Sequence, residues 1–552
     1  MVTGGDGKQF QYVNKVGGNW LFDSANPWNG GKANSWTPAI NESWTWGKDR
    51  IFGVNLGGWL VLEAFITPSL FERTHSMDEW TMHGFLTKVA PTNPTEMLEE
   101  HYSTFITEQD FAQIAGAGLN WVRLPIPYWA IEVWEGEQFI PRIQWKYFLK
   151  AIEWARKYGL RINLDLHGVP GSQNGWNHSG RLLRYPNWLK TPMGTANAQR
   201  SLSYIRVITQ FISQEQYANV VPMFGIVNEP YNIGLADAPV KSFYAEAYKM
   251  MRTTTGIGKG PVMSIFAQGT TSDQWTQNFL PGADRVALDA HPYWAFGEAS
   301  QTTALELATT VCKAHAVNFN TTWNNVGPVS AGEWSLAIND CGKWVGQGNP
   351  IKYEVKFGNG SCLPWDDYTT WTADTKAGFQ AFWKAQWDAL GDAFFWTWKI
   401  GPSMVSNKIE APFWSYQLGL EQGWIGSDPR VSFGYCASLG VPESVTRTTT
   451  LKPNQIGQDA NAVPSDANTY PWPPTAFFDV PIAANVPQYT PTGTIITMPG
   501  PTFTDPANPK QTIDAGTGWF NAQDTEGMYV PVAGCTYPDP WAASGTTPTK
   551  CP

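Results

Sequence analysis

Charge is scarce in this chain. Asp, Glu, Lys and Arg make up 15% of its 552 residues, well under the ~25% of an ordinary soluble domain. The chain is neither the charge-rich, aromatic-poor kind that stays disordered nor the Ala/Glu/Lys/Leu kind that builds coiled coils. Formal net charge is −10 and no stripe of Lys and Arg is present. Binding nucleic acid needs such cations to displace counterions, so no nucleic-acid partner is expected. No apolar run reaches the length of a membrane-spanning helix, so no membrane partner is expected either. The start, MVTGGDGKQFQYVNKVGGNW, lacks the basic end and apolar run of a signal peptide. Two expectations follow: a cytosolic protein, or a secreted one from which a signal was removed. Neither a CxxC pair nor a Cys/His cluster with zinc spacing occurs, so no metal is expected.

What is present points outward from the cell. The six cysteines, Cys312, Cys341, Cys362, Cys436, Cys535 and Cys551, are an even set spread over loops, which fits three disulfides of open connectivity. Asn-x-Ser/Thr sequons stand at Asn41, Asn177, Asn320 and Asn359. Aromatics reach 14%, with 30 Trp, alongside 52 Gly and 41 Pro. Low charge, paired cysteines and acidity together favour a secreted protein.

Three stretches differ in pattern. Residues 1–47 are Gly-, Asn- and Trp-rich without a steady period and read as an irregular N-terminal arm. Over 48–445, short apolar runs alternate with amphipathic helices, the pattern of βα units. Candidate strands are Ile51–Leu56, Leu119–Leu124, Leu160–Leu166, Met223–Val227, Val262–Phe266, Arg285–Leu288, Val326–Ala331 and Ala393–Trp398. Apolar residues at three- and four-residue spacing predict helices over Phe105–Ala115, Trp145–Lys157, Ser201–Ser213, Phe243–Arg252, Ala304–His315 and Phe379–Leu390. Gly118 and Gly159 stand where helix C-terminal caps belong. The fold class is α/β, a (β/α)8 TIM barrel. A doubly wound open sheet would want a GxGxxG turn after its first strand, and GGWLVLEAFITPSLFE has none. Residues 446–552 are rich in Pro, Thr, Ala and Asp, a linker-like composition. They also hold Trp472, Phe477, Phe478, Trp519, Phe520, Tyr529 and Trp541. Aromatics at that density seek burial, so an extension wrapped on the barrel is expected instead of a free linker.

A barrel of this kind carries its active site at the C-terminal ends of the strands. Polar and aromatic side chains gather there: Asn55 and Glu63, Arg123, Asp165 and His167, Asn228 and Glu229, His291 and Tyr293, Glu333, then Trp396, Trp398 and Lys399. Glu229 and Glu333 are the most specific pair, each directly following an apolar strand. The bland reading of either alone is that it caps or bridges a loop; both together, on the fourth and seventh strands, are the equipment for glycoside hydrolysis. A retaining enzyme holds them ~5–5.5 Å apart, so that one attacks the anomeric carbon. Burial and mutual repulsion are expected to raise one carboxyl, while Arg123 holds the other low. Most Trp residues read as packing; Trp396, ending the eighth strand beside both acids, reads as a sugar platform.

The runs GVNLGGWLVLEAFITPSLFE, WVRLPI, DLHGVPGSQNGWNHSG, GIVNEP, GEWSLAINDC and FFWTWK resemble the fungal exo-β-1,3-glucanases of glycoside hydrolase family 5. The resemblance covers roughly residues 48–440. It implies a retaining barrel enzyme with no metal or organic cofactor. Under it, Glu229 is the acid/base and Glu333 the nucleophile. Asn228 bonds the sugar 2-hydroxyl, Arg123 and Tyr293 orient Glu333, and His167 and His291 line the same subsite. Glu63 binds hydroxyls at the non-reducing end, Trp396 floors that sugar, and Phe296 is half of an aromatic gate. Three positions depart from the family: Trp176 replaces the gate's usual Phe, Asn177 stands at an acidic position inside a sequon, and Ala64 replaces a Pro. The resemblance also implies the pairs Cys341–Cys362 and Cys312–Cys436, and with them Cys535–Cys551.

The expected activity is a secreted, monomeric exo-β-1,3-glucanase that releases glucose with retention and transglycosylates. A rival keeps the mechanism on β-1,6-glucan, a glucosylated lipid or an aryl glucoside. A rival of another class is a non-catalytic cell-wall carbohydrate-binding protein.

Overall fold

The computed structural model describes the chain except residues 191, 231–236, 268–278, 281, 297–302, 340, 347–361, 363, 366, 443, 457–468, 476–485, 506–507 and 542–552. All eight expected strands are present, as β1 (Phe52–Asn55), β2 (Trp121–Pro127), β3 (Arg161–Gly168), β4 (Met223–Gly225), β5 (Val262–Phe266), β6 (Val286–Ala290), β7 (Val329–Trp334) and β8 (Ala393–Phe395). Each pairs in parallel with the next, and β8 pairs with β1 to close the barrel. Buried on both faces, such strands read as near-continuous apolar runs, which is why they stood out in the sequence.

The six expected helices are also present: α1 (Glu108–Gly116), which starts later than expected, and, with longer bounds, α2 (Ile143–Tyr158), α3 (Gly194–Ile212), α4 (Asp237–Thr255), α5 (Ala304–Asn325) and α6 (Ala373–Leu390). One boundary moves. Val326 was expected to open β7, but it closes α5, its N–H bonded to the Thr322 carbonyl at 2.8 Å. Gly327 then turns the chain at φ 132° into Val329. Gly159 caps α2 at φ 75°, and Gly118 sits at φ 84° just beyond α1, both in the conformation glycine adopts freely.

The barrel interior is layered. At the N-terminal end, Ile51, Trp121, Met223, Val262, Ala287 and Phe394 form an apolar floor with Trp44. Trp44 meets Trp121 edge-on, ring centroids 5.1 Å apart. At the other end the interior turns polar, and the site begins.

Three helices between β1 and β2 were not expected: Pro68–Thr74, Glu79–Val89 and Glu96–Thr104. The second starts at Asp78, whose carboxylate accepts the Thr81 N–H at 2.8 Å. Later segments also lie on the barrel helices. Asp524 binds Arg206 and accepts from Gln210 Nε2 at 2.6 Å, and Trp541 packs on Trp80 with ring centroids 4.9 Å apart. Phe477 and Phe478 lie outside the described residues.

Two disulfides join Cys312 to Cys436 and Cys341 to Cys362, as the family resemblance implied. Cys551, the expected partner of Cys535, lies outside the described residues. Among the described residues no helix is long and apolar enough to cross a membrane.

Candidate active site

Parallel register sets the foundation. Asn55 on β1 aligns with Arg123 on β2, and Arg123 Nη1 donates to Asn55 Oδ1 at 3.0 Å and to Glu333 Oε1 at 2.8 Å. Its Nη2 donates to Asn228 Oδ1 at 2.8 Å and lies 3.1 Å from Asp165 Oδ1. The guanidinium, fully buried, thus fixes four strand ends at once. Burial opposes its charge, but Asp165, Glu333 and Asp289 outweigh that and raise its pKa. An Arg fork suits this task because its donors are planar and permanently charged.

Glu333, 5% exposed, accepts a second bond on Oε2 from the Tyr293 hydroxyl at 2.7 Å. Glu229 follows β4 in a left-handed conformation, φ 42°, a strained geometry that clusters at functional sites. Its Oε1 meets His291 Nδ1 at 2.5 Å. One carboxylate oxygen each of Glu229 and Glu333, together with a His291 nitrogen, lie within 4.8 Å of one another. By distance alone those three could hold a cation. Their chemistry disfavours one: Glu333 is already paired with Arg123, and His291 carries positive charge. Burial alone would lower the His291 pKa, but Glu333, Asp289 and Glu229 raise it to about 10.

That charge overturns one expectation. Burial pushes Glu229 up, yet His291 pulls harder, with His178 and His167 adding, and its carboxyl ends at about 2. In the free site the proton shared by the Glu229–His291 pair therefore rests on the imidazole. Glu63 behaves oppositely. Burial, then Glu333, Glu229 and Glu79, lift it well above the usual carboxylate range.

Above the acids opens a cavity of about 590 Å3. Expected residues Glu63, His167, Trp176, Glu229, Tyr293, Phe296, Glu333 and Trp396 line it. Arg123, Asn228 and His291 are not part of that lining: they sit beneath it and hold the residues that are. Trp396 stacks on His167 at 5.6 Å and 10°, while Phe296, 59% exposed, stands at the mouth. Asn177 is buried in the wall, at 5% exposure.

Sequence reasoning did not single out Phe65, His178, Trp344 and Trp414, which also line the cavity. His178 stood within a quoted motif, next to Trp176 and Asn177. Trp344 sits in a loop and Trp414 ends the single 3-10 turn Pro412–Trp414, with no period to mark either.

The two sides of the cavity share one brace, the start of helix Glu79–Val89. Glu79 Oε1 accepts the Leu62 N–H at 2.5 Å, one residue before Glu63. Its neighbour Asp78 accepts the Leu182 N–H through Oδ2 at 2.7 Å, and the Trp80 N–H bonds the Gly180 carbonyl at 2.9 Å, just beyond Trp176 and His178.

Paired acids under an aromatic-walled opening, at the C-terminal rim of a (β/α)8 barrel, place the protein among the glycoside hydrolases. Comparison with known proteins narrows this. Residues 85–349 match the model for cellulase, glycosyl hydrolase family 5. The protein named probable glucan 1,3-beta-glucosidase D of Aspergillus terreus is 36% identical over 439 residues, covering 74% of this chain and 50% of that protein. Its namesake in Aspergillus niger is 36% identical over 438 residues, covering 74% and 51%. The chain therefore spans about half the length of the curated relatives it matches. The crystal structure of rutinosidase from Aspergillus niger shares the fold, with TM-score 0.54 and 19% identity over 69% of this chain and 99% of that one. Over residues 85–349 the chain carries a glycosyl hydrolase family 5 domain.

Proposed function

We propose that the protein is a retaining exo-β-1,3-glucanase that releases glucose from the non-reducing ends of β-glucans. The observation that carries the reading is the meeting of Glu229 and Glu333 within 4.8 Å, the close spacing of a double-displacement site. The names of its family 5 relatives supply the linkage.

Glu333, aimed by Arg123 and Tyr293, attacks the anomeric carbon. As the C1–O bond breaks, Glu229 gives its proton to the leaving oxygen. Water then attacks C1 of the glycosyl-enzyme ester, Glu229 takes the water's proton, and Glu333 departs as a carboxylate. Two inversions leave the anomer retained. Asn228, beneath the cavity with its Oδ1 held by Arg123, has Nδ2 to offer the 2-hydroxyl, and Glu63, held neutral by burial, is a donor for a hydroxyl farther out. Trp396 floors the sugar, and Trp176 with Phe296 clamps the next residue, where a second sugar competes with water and gives transglycosylation. Substrate entry displaces water from Glu229, and that desolvation favours the acid form the first step needs.

Two disulfides fit an oxidising compartment, so we read the protein as secreted, acting alone as a monomer. Residues 1–47 and 446–552 serve as arms packed on the catalytic barrel.

The test is the time course of products from a laminari-oligosaccharide with the anomer assigned, beside pustulan. Release of β-glucose from laminarin, lost in Glu333→Gln, supports the reading. A first-formed α-anomer, internal cleavage, or preference for pustulan overturns it.

A further inference from the structure

Three histidines surround Glu229, and two have their protons assigned by other partners. His291 spans Glu229 Oε1 at 2.5 Å and Asp289 Oδ2 at 3.4 Å. His167 Nδ1 bonds Asp165 Oδ2 at 2.6 Å, which leaves its Nε2 facing Asn228 Nδ2 at 3.3 Å. The third, His178, is different. Its Nε2 stands 3.6 Å from Glu229 Oε2, and its buried Nδ1 has no hydrogen-bond partner among the described residues. With nothing there to accept a hydrogen from Nδ1, the ring proton belongs on Nε2, facing Glu229.

The position is built. The His178 ring lies between His167, at 5.3 Å, and Trp176, at 5.5 Å. The next residue is anchored by Ser179 Oγ, 2.6 Å from Ser172 Oγ. Gly180 and Leu182 are then tied to helix Glu79–Val89 as described. His178 is thus delivered to Glu229 by a segment held on both sides.

It meets the oxygen that matters. Oε1 is occupied by His291, so the oxygen free to face a leaving group is Oε2. The other ionisable groups around this carboxylate have separate engagements: Glu333 with Arg123 and Tyr293, Asp165 with Arg123 and His167, and Glu63 at the opposite wall. A contact of 3.6 Å is longer than a hydrogen bond, but such contacts tighten when substrate closes the site.

We propose that His178 is a positioning residue for proton transfer at Glu229, bonding Oε2 in both of its protonation states and aiming it at the leaving oxygen. This rests on Glu229 being the acid/base. When Oε2 bears its proton, His178 donates Nε2–H to a lone pair of that oxygen, which leaves the O–H to point at the glycosidic oxygen. After Oε2–H has passed its proton to the glycosidic oxygen, His178 donates from Nε2 to the carboxylate. The ring keeps one tautomer throughout, Nε2–H with Nδ1 bare, so it neither gains nor loses a proton, and the buried Nδ1 carries no unbonded hydrogen. Burial keeps the ring neutral at working pH, with its pKa near 4, so Nδ1 stays bare while Nε2–H faces Glu229.

The test compares kcat/KM for phenyl and dinitrophenyl β-glucosides. The first leaving group needs a proton and the second does not. His178→Leu is expected to lose about tenfold on the phenyl substrate, one decade of the ~10²–10⁴ that acid–base assistance contributes, and to stay within about twofold on the dinitrophenyl one. His178→Gln, whose amide both donates and accepts near the Nε2 position, restores the phenyl rate to within about threefold of the parent. Equal losses on both substrates, or no loss on either, overturn the proposal, whatever the stability of the Leu variant. Glu229→Ala calibrates the pair. If it fails to discriminate between the two leaving groups, the acid/base reading falls; if it discriminates and His178→Leu does not, only the role of His178 falls.

Discussion

Tyr293 donates to Glu333 Oε2 at 2.7 Å, completing a clasp whose other half is the Arg123 bond to Oε1. The phenol stays protonated, its pKa raised by burial and then by Glu333 itself, so it serves Glu333 only as a donor. Removing it frees one oxygen to rotate away from the anomeric carbon. Tyr293→Phe is expected to lower kcat roughly ten- to hundredfold with a smaller change in KM, since the bond orients the attacking atom. Steady-state kinetics on an aryl β-glucoside decide it; a rise in KM at unchanged kcat refutes it.

His291→Gln should move the pH profile. In the parent, the His291–Glu229 pair holds one proton from about 2 up to about 10. The alkaline limb of kcat/KM then follows loss of that shared proton. Without the imidazolium, Glu229 must hold the proton alone, and its pKa rises because burial is no longer outweighed. It still falls below that of the imidazolium it replaces. The alkaline limb is therefore expected at lower pH in His291→Gln, read from kcat/KM against pH; an unmoved or higher limb contradicts the assignment.

Glu79 gives a stability prediction. It is fully buried, and burial raises its carboxyl to about 8. A carboxyl whose folded pKa is raised contributes most below the unfolded value near 4.5 and progressively less as pH climbs toward 8. Glu79→Gln keeps an acceptor for the Leu62 N–H and removes the titration. Thermal melts should show the parent losing Tm between pH 5 and pH 8, relative to its own maximum, more steeply than the variant. Parallel curves would show that Glu79 is not the group responsible.

The disulfides should differ in weight. Cys312 and Cys436 close a separation of 124 residues, Cys341 and Cys362 one of 21. Chain entropy assigns about 4–5 kcal/mol to the first and about 3 kcal/mol to the second. The Cys312→Ser/Cys436→Ser variant is thus expected to melt lower than Cys341→Ser/Cys362→Ser in calorimetry; the reverse order would point to strain or residual structure in the unfolded chain.

Much of the barrel could be read from the chain because β1 to β8 are apolar runs and α1 to α6 carry their apolar residues at helical spacing. Helix Glu79–Val89 escaped for a definite reason. Its buried face includes Glu79 and His83 beside Trp80, Met82 and Leu86, so polar residues occupy core positions and the amphipathic signal fades. Glu229 and Glu333 were visible because a charge directly after a buried strand has few ordinary explanations. His178, Trp344 and Trp414 were not, because a loop or a single 3-10 turn carries no period. One carboxyl of the pair was expected to be raised; Glu229 is instead lowered because His291, His178 and His167 converge on it, a convergence only the folded chain shows.

The brace at the head of helix Glu79–Val89 bears on how this enzyme acquires new tastes. Asp78 and Glu79, side by side in the chain, grip opposite jambs of the doorway, yet neither is needed to touch a guest. Widening or narrowing the entrance thus calls for no change among the residues that perform the reaction. Altering the length or tilt of a helical insertion between the first two staves suffices, and the chemistry is inherited intact.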